Sequence, residues 1–143
     1  MDENATAYDE ESSYKRSGEE PQIITTADSI KKAAEIASNL NCNTVGILLS
    51  NRKTAVAFYA QFKEIYRGDK TPVLIANADA SFHPGVMVMA VPLAKGLEFD
   101  AVIVPEYGSD VFSHSQGRRL LYLICTRALH QLYLIEKSEE EKR

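Results

Sequence analysis

Apolar positions along this chain alternate between short continuous runs and stripes at helical spacing. Gln22 to Thr26, Thr44 to Leu49, Pro72 to Ala76, Val86 to Val91, Ala101 to Val104 and Gln131 to Glu136 have strand length. The run from Val86 follows the turn residues Pro84 and Gly85 and is continuously apolar to Val91, the pattern of a strand covered on both faces in a parallel sheet. Between the runs, Ile30, Ala33, Ala34, Ala37 and Leu40 recur at helical spacing, with Asp28 or Thr26 as cap and an end at Asn41 to Asn43. Ala55, Tyr59, Phe62 and Tyr66 line a second helix, capped by Ser50 or Asn51 and stopped by Gly68. Gln116 to Leu129 reads as a third, with Leu120, Leu123 and Ile124 toward the core, and Leu132 and Leu134 alternate with Tyr133 and Ile135 in a closing strand. Asn77 to Gly85 holds too many turn residues for a long helix, and Pro105 to Ser115 reads as a polar surface loop. Strand, helix and strand in this order predict an α/β domain of three layers with a mostly parallel sheet and right-handed crossovers.

The ends differ from this body. Residues 1–20 are rich in Glu, Asp, Ser and Asn and are expected to be a disordered acidic linker or leader, 21–137 to fold, and 138–143 to form a charged tail. A chain of 143 residues suits one domain. Its net charge of −4 comes from the ends: 1–20 carries −5 and 136–143 −1, which leaves +2 for 21–135. That body charge neither requires nor excludes a phosphate-bearing partner. No apolar run approaches a membrane span and no secretory leader is visible, so a cytoplasmic protein without membrane contact is expected. Cys42 and Cys125 are far apart, His83, His114 and His130 are scattered, and no metal site is expected.

Candidate chemistry gathers at three places. After the central run, Lys95, Glu98 and Asp100 crowd around Gly96 in Pro92-Leu93-Ala94-Lys95-Gly96-Leu97-Glu98-Phe99-Asp100; placed at a carboxyl strand end, such a turn would lie where open α/β sheets bind ligands. A solvated loop with a weak Lys/Glu pair fits the same residues. Ser50-Asn51-Arg52 opens a helix directly after a strand, which suits an anion and equally suits an ordinary cap. Leu120 to Leu129 reads as an apolar helix with a lone Arg127 near its end, where a cation also answers the helix dipole.

In order and spacing, Lys95-Gly96-Leu97-Glu98-Phe99-Asp100 followed by Leu121-Tyr122, Thr126-Arg127-Ala128-Leu129 closely resembles motifs V and VI of superfamily 1 helicases of the UvrD/Rep/PcrA kind. The resemblance covers Gln22 to about Lys137 and looks closest to the HelD, or DNA helicase IV-like, branch, with Gly18-Glu19-Glu20-Pro21 before the first strand and Pro92 in motif V. It implies a RecA-like second motor domain that clamps ATP with Mg2+ against an N-terminal RecA-like partner domain. Arg127 would be the arginine finger at the γ-phosphate, Glu98 would meet the ribose or phosphate region, and Lys95 and Gly96 would lie near the phosphates and the DNA path. Arg52 aligns loosely with the phosphate-contacting arginine of motif IV, and Ser50 and Asn51 are the accompanying candidates for nucleic-acid contact. The Thr and His that usually open motif V are replaced by Ala90 and Pro92, which implies that the grip on single-stranded DNA is weaker or lies elsewhere.

No G-x-x-x-x-G-K-[ST] and no Walker B box occurs in the sequence, so the chain lacks the parts that hold and activate ATP and is expected to be half of an enzyme. Three roles follow from the resemblance: the C-terminal motor domain of a DNA helicase or translocase, the same domain of an ATPase that remodels RNA polymerase, or a stand-alone binding domain that has lost the motor.

Overall fold

The computed structural model describes residues 21–77, 84–94, 96–107 and 115–137, without the side chains of 115, 116 and 120. The expected leader and tail, Lys95, His83, His114, the side chain of Leu120 and most of the two loops at 77–85 and 105–115 lie outside the described residues.

The elements are β1 (Gln22–Thr26), α1 (Ser29–Asn39), β2 (Thr44–Leu49), α2 (Arg52–Ile65), β3 (Val73–Ile75), β4 (Gly85–Ala90), a 3-10 turn (Val91–Ala94), β5 (Phe99–Val104), α3 (Ser115–Cys125) and β6 (Ala128–Lys137). The strands form one sheet in the order β1-β6-β5-β2-β4-β3. Every pairing in it is parallel, so the sheet is parallel throughout.

Alternation along each strand builds two cores. Val45, Ile47 and Leu49 of β2, with Val86 and Val88 of β4, meet Ala33, Ala34 and Ala37 of α1 and Ala55, Phe58 and Phe62 of α2. Leu48, Met87, Met89, Val102 and Leu132 point the other way, onto Val91 and Ala94 of the 3-10 turn and Ile124 and Cys125 of α3. Small residues on α1 let it approach the sheet closely, whereas α2 spends large rings there. Phe58, Phe62 and Tyr66 stack at successive centroid separations of 5.4 Å. Full burial of Phe62 or Phe99 contributes about 1.5–3 kcal/mol each. Among the described residues no helix is long and apolar enough to cross a membrane.

Several expected boundaries move. Gly68 does not stop α2: the helix ends at Ile65 with Tyr66 as an extended cap whose N–H donates to the Phe62 carbonyl, and Gly68 has no left-handed φ. The third strand shortens to Val73–Ile75. α3 stops at Cys125 instead of Leu129, because the Arg127 N–H reaches back only to the Ile124 carbonyl (2.9 Å) and the Arg127 carbonyl already accepts from Phe99 N–H (2.8 Å). The chain is thus in the sheet from Ala128, and Leu123, expected in the core, is 50% exposed while Ile124 is buried. Phe99 and Asp100 belong to β5 and not to the turn before it.

Gly46 of β2 is set by this packing. A Cβ there would stand 2.8 Å from the ring of Phe99, which is fully buried and cannot swing away. Gly46→Ala is expected to destabilise the domain by about 1–3 kcal/mol through overpacking, more than the modest entropic gain of losing a strand glycine. Urea denaturation measures this; an unchanged or raised midpoint would contradict the packing described.

Candidate functional site

A parallel sheet has two unlike edges, and the candidate residues divide between them. At the carboxyl edge, β2 runs out into Ser50, Asn51 and Arg52. Asn51 caps α2, its side chain accepting from Thr54 N–H at 2.9 Å. The anion that this turn suits belongs to the chain itself: Glu106, just past the end of β5, accepts from Ser50 N–H at 2.7 Å and from the Ser50 hydroxyl at 3.2 Å. Arg52 is exposed.

The charged turn expected at this edge lies elsewhere. β4 and β5 flank β2 in a parallel sheet, so the chain must travel from the carboxyl end of one to the amino end of the other. The 3-10 turn packs across β2 and against α3 on the way. Leu97 N–H then donates to the Ala94 carbonyl at 2.9 Å, closing a turn in which Gly96 has φ +83°, at the position where a type II turn requires a left-handed residue. No atom lies within 4 Å of where a Gly96 Cβ would stand, so glycine is there for its backbone and leaves an open approach.

Arg127 joins this turn at the amino edge. It is not in a helix, as the sequence suggested, but in the tight link between α3 and β6. Its Nη1 donates to the Leu97 carbonyl at 3.2 Å, and its Nε and Nη2 donate to the Thr126 hydroxyl oxygen at 3.2 and 3.1 Å. Glu98, next along the turn, is exposed. The structure therefore brings together Arg127, Gly96 and the turn that carries Glu98, and leaves Ser50, Asn51 and Arg52 at the opposite edge. The six residues of β2 separate the edges by about 20 Å.

Asp100 anchors the amino edge. Its Oδ2 accepts from Asn43 N–H at 3.0 Å and Thr44 N–H at 3.1 Å, and its own N–H donates to Thr44 Oγ1 at 2.9 Å. Opposite it, Phe99 pairs with Ala128 and Ala101 with Gln131, so Leu129 and His130 form a bulge in β6. His130 Nε2 stands 4.0 Å from Asp100 Oδ1. Burial, and then the nearby Asp100, push the Cys42 thiol up, while Lys70 opposes them, so the thiol is a poor nucleophile beside this edge. Among the described residues no cluster of His, Cys, Asp or Glu could hold a metal ion.

Sequence reasoning missed Glu106, Asp100 as an anchor, and Thr126. The first two act across strands that are neighbours in space only, and nothing in the linear pattern specifies that order; Thr126 lies within the T-R-A-L segment, where its type alone does not reveal that its hydroxyl meets Arg127.

Residues 85–135 match the model of the family described as UvrD-like helicase C-terminal domain. That stretch contains the whole amino-edge cluster, Gly96 to Glu98 with Thr126 and Arg127, and excludes Ser50 to Arg52. A solved structure, the C-terminal domain of a possible DNA helicase from Lactobacillus plantarum WCFS1, is similar at 28% identity and TM-score 0.67, over 84% of this chain and 75% of that one. The all-parallel six-stranded α/β fold of this chain matches the fold of that domain. No curated protein matches the chain.

The Asp100 carboxylate satisfies two backbone donors at once, so Asp100→Ala leaves both without their partner. A loss of about 1–3 kcal/mol is expected. Thermal or urea unfolding checks it, and a change within experimental scatter would remove Asp100 as the anchor of this edge.

Proposed function

We propose that this helicase C-terminal domain is the second motor half of an ATP-dependent DNA helicase or translocase, and that its amino edge closes on ATP with Mg2+ held by an N-terminal RecA-like domain bearing the Walker A and B residues. One observation carries the reading: Arg127 is tied by its side chain to the carbonyl of Leu97, so the arginine of the T-R-A segment and the K-G-L-E-F turn meet at one open edge. A guanidinium is planar, permanently charged and has five N–H donors. Three are engaged by Thr126 and Leu97, and one remains on each terminal nitrogen for phosphate oxygens. Placed there, Arg127 neutralises charge that develops on the transferring phosphoryl group. Gly96 presents backbone without a side chain to the phosphates, the resemblance assigns Lys95 as a further cation for them, and Glu98 is an exposed acceptor for ribose hydroxyls.

One nucleotide cannot meet both Arg127 and Arg52 across the length of β2. We assign Arg52, with Ser50 and Asn51, to the face along which single-stranded DNA passes. The grip there is weak, because an arriving phosphate meets the Glu106 carboxylate already seated on Ser50, and Ala90 and Pro92 supply neither hydroxyl nor imidazole. Binding of the chain to single-stranded DNA should accordingly be weak at low salt and weaker still at physiological salt. The same features support a second client for the same ATPase: a HelD-type enzyme that remodels RNA polymerase. Stimulation of turnover by single-stranded DNA or by polymerase separates the two.

The chain alone is expected not to turn over ATP; turnover above that of its Arg127→Ala variant would overturn the half-enzyme reading. In the enzyme that joins this domain to its Walker A partner, Arg127→Ala should lower stimulated kcat by about 10³–10⁵ while ATP affinity falls much less. Arg127→Lys should rescue poorly, since an ammonium cannot span two oxygens. A kcat near that of the wild type for Arg127→Ala, with the fold intact by melting temperature, would remove the residue from the site.

A further inference from the structure

We infer that Thr126 is a positioning residue for Arg127, an inference that rests on the proposed role of that arginine. A threonine hydroxyl has one proton and two lone pairs. Here the proton goes to the Leu123 carbonyl at 2.7 Å, one turn back in α3, and this short bond fixes the direction of the oxygen. Both lone pairs are then turned outward as acceptors, and both are used by the same guanidinium, from Nε at 3.2 Å and Nη2 at 3.1 Å. A threonine that only closed a helix end would need the first bond and not the other two. Nη1 on the Leu97 carbonyl, at 3.2 Å, holds the other side of the fork. With one edge on Thr126 and one corner on Leu97, the plane of the guanidinium is defined, and the outer N–H of each terminal nitrogen is left unspent.

The arrangement places the orientation of Arg127 on two rigid pieces of the fold. Leu123 lies within α3, whose next residue Ile124 is fully buried, and Leu97 precedes the fully buried Phe99. Loss of the hydroxyl would leave the arginine charged and present but free to rotate about its side-chain bonds. Misplacement by about 1 Å is enough to cost on the order of 10²-fold in rate. Serine keeps the oxygen, its proton and its lone pairs, whereas valine keeps the shape alone.

Two measurements test this. In the chain as it stands, the Arg127 Nε–H resonance should be sharp and slow to exchange with water in the wild type and in Thr126→Ser, and should move to the position and exchange rate of an unrestrained arginine in Thr126→Val. In the enzyme with both motor halves, Thr126→Val should lower kcat by about 10²-fold with KM for ATP nearly unchanged, and Thr126→Ser should restore most of it. Thr126→Ala, expected to behave as valine does, replaces it if valine disturbs the fold by melting temperature. If Arg127→Ala abolishes turnover while Thr126→Val and Thr126→Ala turn over like the wild type, the positioning role is wrong and the function of Arg127 stands. If Arg127→Ala itself is active, the functional reading fails, and an Nε–H resonance unaltered by valine would overturn the positioning role independently.

Discussion

A single topological constraint governs where this domain keeps its chemistry: β4 and β5 both lie against β2, on opposite sides and in the same direction. The chain leaves β4 at Ala90 and enters β5 at Phe99, so residues 91–98 must pass from one edge of the sheet to the other. Parallel connections usually take about a dozen residues or more, commonly a helix. Here a 3-10 turn and a glycine turn serve, the first burying Val91 and Ala94 on the sheet and the second reversing at Gly96. Gly96 to Glu98 are therefore drawn tight between two buried anchors, and Glu98 emerges at the amino edge because the crossing ends there.

Everything else at that edge follows from the same geometry. Phe99 fills the space that Gly46 leaves and donates its N–H to the Arg127 carbonyl, which holds the backbone of the arginine against the start of β5 while its side chain returns to Leu97. Asp100 ties β5 to the entry of β2, and the bulge at Leu129 and His130 relieves the register between β5 and β6 immediately after Arg127. A site held by a backbone bond, a buried ring and a carboxylate shared by two amides has little freedom to drift, which is what the proposed role of Arg127 demands.

Much of the fold was legible along the chain. The unbroken apolar run at Val86 announced a strand covered on both faces, and the caps at Asp28 and Asn51 act as read. The two segments that resemble motifs V and VI could be picked out by residue type and spacing, and the structure joins them through Arg127 and Leu97. What could not be read was which edge each turn would occupy. Order among parallel strands is set by packing of side chains far apart in sequence, so the turn after β4 was placed at the wrong edge, and the carboxylate that fills the Ser50 turn came unannounced from Glu106. The end of α3 was misjudged for a related reason: Leu129 is apolar, but β6 takes the chain into its ladder at Ala128, and the ladder overrides a helical pattern that would have continued.

In the proposed function nucleotide lies at the amino edge, and the carboxyl edge is left to the strand or client. A structure of the complete two-domain motor with ADP and aluminium fluoride, which imitates the transferring phosphoryl group, tests that division directly. It should show the outer N–H groups of Arg127 at about 2.7–2.9 Å from the fluoride, with the bonds to Thr126 and Leu97 kept. A fluoride contacted from the carboxyl edge by Arg52, with Arg127 turned away from the nucleotide, would contradict it.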